Sequence, residues 1–378
     1  MSQAAAESNR NFDAVLLASF GGPEGQDDVI PFLRNVVAGR GIPDERLEEV
    51  AVHYRTNGGI SPITEQNRQL LGALRTELAA RGLELPIYWG NRNWMPYIPA
   101  TLRQMYDAGH RRVLMLVTSA YAGYSSCTQY REDIDAALVA EGLVGKLEVV
   151  KVRQFFYDST FITPFAQGLA AGITDVRAQI AAAGKTGEPK IVFVTHSIPT
   201  AVADAQGPAS VAVEYGTDVY TAQHLAVARA LMSQVPEAAG LEHSLVFQSR
   251  SGSPHTPWLE PDINDALEED AAAGVPGVVV MPIGFVSDHM EVLWDLDTEA
   301  KDTCASLGLG FHRAPTPAIN PVFVGGLVDT LGEYVDGATH SQVAQLVPGS
   351  WEEICTQGCC QSFLAEHPMK QIEQDLPL

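Results

Sequence analysis

Two stretches of this sequence end an apolar run on residues that handle protons and metals. In the first, Lys190–Thr195 runs into His196, Ser197, Ile198 and Pro199. Imidazole titrates near neutral pH, so His196 can accept a proton or offer a nitrogen lone pair to a cation. In the second, Val278–Ile283 leads through Gly284 to Asp288 and His289, after which a helix is expected with Ser287 or Asp288 as its N-cap. Along it Asp288, Glu291, Asp295, Glu299 and Asp302 stand three, four, four and three residues apart. That spacing puts five carboxylates on one helical face. Like charges at i,i+4 each cost roughly 0.2–0.5 kcal/mol. A solvated acidic face is the plain alternative, but a row beginning beside a histidine at a strand end suits a divalent cation in transit between hard oxygen ligands.

The elements that must position these groups alternate. Strands are expected at Ala14–Ser19, Pro86–Trp89, Arg112–Thr118, Leu147–Val152, Lys190–Thr195, Ser244–Gln248 and Val278–Ile283, with helices between them. Thr64 to Arg81 shows the helical pattern, with Leu70, Leu71, Leu74 and Leu78 on one side. Such alternation implies an α/β protein with parallel sheets covered on both faces. At roughly 100–200 residues per domain, 378 residues suggest two domains, and the segment Ile173–Pro189 is the expected join. Ligands of open α/β sheets bind at the carboxyl ends of strands, where His196 and the acidic row stand. Phe20, Gly21, Gly22 and Pro23 follow the first strand; they do not form a GxGxxG fingerprint, and no phosphate loop is present.

Formal charge is −22, from 24 basic and 46 acidic residues. This argues against a nucleic-acid partner, which would need clustered Lys and Arg. Hydrophobic residues make up 46% of the chain, enough for sizeable cores. The first 13 residues have no apolar centre and do not read as a signal peptide. No run approaches the ~18 apolar residues of a membrane span, so a cytoplasmic location is expected. Cysteines there are thiols or metal ligands rather than disulfides. After Pro321–Val335, a helix, the polar segment Asp336–Leu378 carries Cys355, Cys359 and Cys360 as CTQGCC, while Cys127 and Cys304 lie in the body. The spacing is not that of a zinc ribbon. A 2Fe-2S cluster needs four thiolates, of which the tail supplies three and the body would supply the fourth.

Several segments, in order along the chain, resemble the ferrochelatase family: Leu17–Pro23 (LASFGGP), Tyr54–Pro62 (YRTNGGISP), Val194–Pro199 (VTHSIP), Pro257–Asp262 (PWLEPD) and Pro282–Asp297 (PIGFVSDHMEVLWDLD). The resemblance implies two Rossmann-like, chelatase-type domains, 12–185 and 186–320, with a porphyrin in the cleft between them. Residues 321–378 would form a helix packed back on the first domain and a cluster-binding extension. His196 and Glu291 match the family's catalytic His and Glu, the groups that face the substrate Fe²⁺. Asp295 and Glu299 match its acidic row. Phe20 stands where many bacterial members have Tyr, so an axial tyrosinate is unavailable. Phe20, Arg40, Tyr54, Arg55, Ser61, Arg92 and Tyr124 lie in the matched loops that would hold the macrocycle and its propionates. Gly39–Arg40 and Ser125–Tyr130 resemble the actinobacterial members, which act on coproporphyrin III. Some family members combine three C-terminal cysteines with one internal one, which implies Cys127, Cys355, Cys359 and Cys360 as cluster ligands. Cys304 then reads as a small buried hydrophobe. A monomer is expected, in transient contact with neighbouring enzymes of haem synthesis. The alternatives are protoporphyrin IX as substrate, a cobalt or nickel tetrapyrrole chelatase, or a porphyrin carrier. A carrier needs a fixed axial ligand but no acidic row.

Overall fold

The computed structural model describes residues 12–39, 42–207, 214–251 and 255–335. Among them are two four-stranded parallel sheets. The first has the order β2-β1-β3-β4, from Ile87–Asn91, Ala14–Ser19, Arg112–Val117 and Glu148–Lys151. The second has the order β6-β5-β7-β8, from His243–Gln248, Lys190–His196, Gly277–Met281 and Gly310–Arg313. β1, β3, β5 and β7 occupy the sheet interiors, and their near-continuous apolar runs reflect burial on both faces. The expected strands are all present with ends moved by one or two residues. β8 escaped the sequence reading because it is four half-buried residues, Gly-Phe-His-Arg, with no apolar run.

Helices α1 (Val29–Val36), α2 (Asp44–Thr56) and α3 (Pro62–Ala80) follow β1, and α4 (Ile98–Asp107) follows β2. A π-helical turn, Tyr124–Thr128, opens α5 (Gln129–Ala140) after β3. The long α6 (Ser159–Ala182) joins the halves and packs on β7 and β8. In the second half come α7 (Thr200–Asp204), α8 (Val219–Gln234) and α9 (Ile263–Ala272). Next is α10, composed of Met290–Val292, a π-helical stretch Leu293–Ala300, and Lys301–Leu307. The last described helix, α11 (Pro321–Val335), lies against α3 and α6. One apolar core runs through both halves, taking in Leu17 and Leu116 of the first sheet, Phe161 and Ile173 of α6, and Phe193 and Met281 of the second. No helix among the described residues is long and apolar enough to cross a membrane.

Candidate active site

β5 and β7 are parallel neighbours, paired Ile191↔Val279 and Phe193↔Met281. Beyond β7 the Gly284 N–H still donates to the Val194 carbonyl at 3.1 Å. A Cβ on Gly284 would lie 2.2 Å from Thr195 Oγ1, so only glycine lets the chain pass this close to the end of β5. The chain then turns into α10 beside His196.

There His196 Nε2 lies 3.4 Å from Glu291 Oε2, and His289 Nδ1 lies 3.8 Å from the same oxygen. His196 Nδ1 bonds the Ser197 carbonyl. A carbonyl only accepts, so this nitrogen carries the hydrogen and Nε2 is the one presented to Glu291. The Glu291 side chain is 49% exposed and still reaches solvent. Burial alone would raise its pKa, but the hydrogen bond and charge of His196, with His289 and His53 beyond, bring it down to about 2. Burial alone would lower His196, but Glu291, the Ser197 carbonyl and Asp295 outweigh it and raise it above the ordinary 6.5. Burial lowers His289. Asp295 is pushed up to about 7, first by burial and further by the charges of Glu291 and Glu299, against its hydrogen bond from Ser249. Gln248 Nε2 also donates to Asp295 Oδ2, at 3.1 Å.

The acidic row departs from the sequence reading at its start. His289, not Ser287 or Asp288, is the N-cap residue, and its side chain makes no capping bond. Asp288 is turned away from the row: its carboxylate accepts from Arg313 Nη1 at 3.1 Å and from Thr316 Oγ1 at 3.1 Å. Its N–H donates to Gln66 Oε1 of α3 at 2.8 Å, tying α10 to the first half. Arg313 also holds Asp297 at 2.6 Å. Asp288 therefore leaves the row, and Glu291, Asp295 and Glu299 are the members that follow His289, with Asp302 exposed further along the helix. Glu299 is exposed and accepts from Trp294 Nε1 at 2.9 Å, while the Trp294 indole stacks on His53 of α2, with centroids 4.2 Å apart.

The ends of the first sheet face this group. Met290 of α10 sits in one cluster with Val29, Phe32, Tyr54 and Trp94. Phe20, just past β1, is 38% exposed and meets Phe32 edge-on at 6.2 Å. Tyr54 is buried against Phe32, and burial raises its hydroxyl. Ser61 is buried at the head of α3, its N–H on the Pro23 carbonyl at 2.9 Å. Arg55 is exposed and paired with Glu48 at 2.5 Å. Tyr124 donates to Glu132 at 3.0 Å, and burial with that carboxylate raises it. Arg92, expected as a propionate donor, stands beside Phe20. Its guanidinium pairs with Asp133 and lies 4.9 Å from the Tyr130 ring and 5.9 Å from Phe20, so it braces the aromatic wall. Arg40 lies outside the described residues, as do Cys355, Cys359 and Cys360. Cys127 is buried in the π-helical turn before α5, and Gln154 Nε2 donates to its Sγ at 2.9 Å. Cys304 is buried in a separate core in the second half, and burial with nearby Asp270 raises its thiol to about 12. Sequence reasoning passed over Gln248 and Ser249, although they end β6 where the strand-end rule points.

Two parallel four-stranded sheets, with a histidine–carboxylate pair past the strand ends of the second, define an α/β protein with a strand-end site. The profile of the ferrochelatase family matches residues 12–334. The coproporphyrin III ferrochelatase of Leifsonia xyli is 49% identical over 93% of this chain and 91% of its own length. That of Streptomyces griseus is 51% identical over 92% of this chain and 93% of its own length. Among solved structures, the sirohydrochlorin chelatase SirB of Bacillus subtilis subspecies spizizenii aligns over 88% of this chain and 98% of its own, at 10% identity and a TM-score of 0.48. This chain belongs to the ferrochelatase family.

Proposed function

We propose that the protein inserts Fe²⁺ into coproporphyrin III, giving iron coproporphyrin for haem synthesis. The observation that carries the reading is the His196–Glu291 pair, 3.4 Å apart at adjoining strand ends, with Asp295, which burial pushes up to about 7, beyond it on the same helix. Metalation removes two pyrrole protons and brings a desolvated cation to the exposed nitrogens. His196 accepts the two pyrrole protons one after the other at Nε2, giving up the first before it takes the second, since Nδ1 is committed to Ser197. Glu291 stays ionised and stabilises the imidazolium. Asp295, near 7, exchanges protons at neutral pH and carries them outward along the row toward exposed Glu299. With the proton gone, the imidazole nitrogen and the Glu291 oxygen are the groups that meet the iron. Phe20 and the buried Phe32–Tyr54–Trp94 cluster supply an apolar wall for the macrocycle. Arg40, Arg55, Ser61 and Tyr124 are the residues we assign to its carboxylates. The two halves act as lobes, 12–185 and 186–320, with the site between them.

The same reading gives the protein a 2Fe-2S cluster held by Cys127, Cys355, Cys359 and Cys360. Its support is the course of the chain. Near the end of α11, Glu333 pairs with Arg153 at 2.8 Å and the Tyr334 hydroxyl accepts from the Arg153 N–H at 2.9 Å. The next residue, Gln154, touches Cys127. α11, the last described helix, thus ends close to Cys127. When bound, such a cluster supplies a covalent pin for a polar tail and a group sensitive to oxidants.

Anaerobic assay with Fe²⁺ and coproporphyrin III, followed by absorbance, tests the main reading. Formation of iron coproporphyrin supports it, and binding without metalation sinks it.

A further inference from the structure

Behind His196 lies a chain of hydrogen bonds that the proposed steps do not use. α8 turns Tyr220, Gln223 and His224, at positions i, i+3 and i+4, toward the end of β5. The Tyr220 hydroxyl oxygen is 2.9 Å from the His196 carbonyl and 2.9 Å from Thr195 Oγ1. Thr195 Oγ1 is 2.9 Å from His224 Nε2, and His224 Nδ1 is 2.8 Å from the Tyr220 carbonyl. Thr195 and His224 are fully buried.

The donors and acceptors of this chain can be assigned in turn. The Tyr220 carbonyl can only accept, so His224 Nδ1 carries the hydrogen. Burial pulls His224 down to about 4, so the ring is neutral and its Nε2 is a bare acceptor. Thr195 must then donate to Nε2 and has only acceptor capacity left. The single Tyr220 hydroxyl hydrogen is therefore directed at Thr195 Oγ1 and the His196 carbonyl together.

The other side of the site is tied to the same helix. The His224 ring stacks on Tyr121 at 3.8 Å, and the Tyr121 hydroxyl donates to the Ile283 carbonyl at 2.8 Å. Ile283 lies just past β7, in the segment that leads to Glu291. Gln223 clamps both polar groups of Ala122, accepting from its N–H at 2.8 Å and donating to its carbonyl at 3.0 Å. One face of α8 thus reaches the main chain on both approaches to the pair, at His196 and at Ile283.

We propose that Tyr220 is a positioning residue: its hydroxyl fixes the His196 peptide and so aims the imidazole at Glu291. The inference rests on the proposed reaction for its turnover readout. A peptide free to rotate swings the imidazole, and misplacement on the order of 1 Å at a reacting group costs up to ~100-fold in rate.

Tyr220→Phe removes the hydroxyl and keeps the ring. We expect kcat to fall about tenfold, with KM for the porphyrin within about twofold and Tm within about 4 °C of the parent. Thr195→Ser keeps the second hydroxyl and should retain kcat within about threefold, and combining it with Tyr220→Phe should lose little more than Tyr220→Phe alone. The imidazole ¹⁵N shifts of His196 at one fixed pH should move in Tyr220→Phe. If kcat and those shifts both stay put in Tyr220→Phe, or if kcat falls only with Tm and returns on cooling, the positioning role is wrong. If the parent protein shows no metalation while the shifts still move, the proposed reaction fails and the positioning of His196 stands.

Discussion

Replacing Glu291 with Gln keeps the shape of the pair and removes its charge, and the consequence for His196 can be worked through. The imidazole is raised above 6.5 although burial acts in the opposite direction, and Glu291 is the main cause of the rise. Two unit charges about 4 Å apart attract by ~1 kcal/mol in water and ~4 kcal/mol at an effective dielectric constant near 20. The Glu291 side chain is 49% exposed, so solvent screening favours the lower part of that range, on the order of 1–2 kcal/mol. Glu291→Gln should therefore lower the His196 pKa. The sign is fixed: a carboxylate favours imidazolium, and without it burial favours the neutral ring. The imidazole should then lose its proton at lower pH than in the parent. The acid limb of kcat/KM, where protonated His196 can no longer accept a pyrrole proton, should move down in pH with it. The residual rate should nevertheless be far below the parent's, since the imidazolium formed in the reaction has lost its counter-ion. Titration of the His196 Cε1–H resonance in both proteins measures the shift directly. An unchanged or higher His196 pKa in Glu291→Gln would refute the coupling, and near-parental turnover would remove Glu291 from the reaction.

His196→Ala should abolish metalation while porphyrin affinity, read by fluorescence quenching, stays within about tenfold, or ~1.4 kcal/mol. Coproporphyrin III should give a higher kcat/KM than protoporphyrin IX, since four anchored carboxylates hold the ring in one register; a preference for protoporphyrin would reverse the substrate assignment. Protein prepared without oxygen should contain two non-haem irons and two acid-labile sulfides per chain by chemical analysis; Cys127→Ser should lose both, and Cys304→Ser neither. Arg313→Met leaves Asp288 and Asp297 without their cation and should cost about 3 kcal/mol in urea unfolding, and a loss below about 1 kcal/mol would show the pair to be incidental.

The sheets were legible because a parallel strand buried on both faces is written as an apolar run, and β1, β3, β5 and β7 are such runs. β8 was not, because it lies at a sheet edge and its residues are half-buried. His196 could be marked from one rule, that ligands gather at strand ends. The acidic row could be read from spacing, but spacing cannot show where a carboxylate points. Asp288 fits the repeat and is nevertheless captured by Arg313 of β8, the strand the sequence did not reveal. Arg92 shows the same limit: its loop was found, but its partner Asp133 lies on α5, 41 residues on. Tyr220 and His224 carry no motif, and Thr195 is read only as the end of a strand and as part of VTHSIP. Their meaning depends on α8 packing behind β5, a contact no local signal encodes.

Glu291 and Asp295 are one helical turn apart and carry the same functional group, yet their environments shift them in opposite directions. Glu291 faces imidazole rings and falls to about 2. Asp295 is enclosed, lies between two other carboxylates, and rises to about 7. A reaction that must shed two protons and admit a cation needs both kinds of group. A permanently ionised carboxylate stabilises charge beside the ring but cannot relay a proton near neutral pH. A carboxylate that titrates there can relay one but is a poor counter-ion. Environments that push paired acids apart assign their roles. Here the separating agents are identifiable: the imidazole of His196 at 3.4 Å for one, and burial for the other. The π-helical stretch matters to this division because it carries Asp295 on its inner side, under Gln248 and Ser249, while Glu299 stays exposed. The order along the row, ionised, titrating, solvated, is the order in which a proton leaving the ring would meet them.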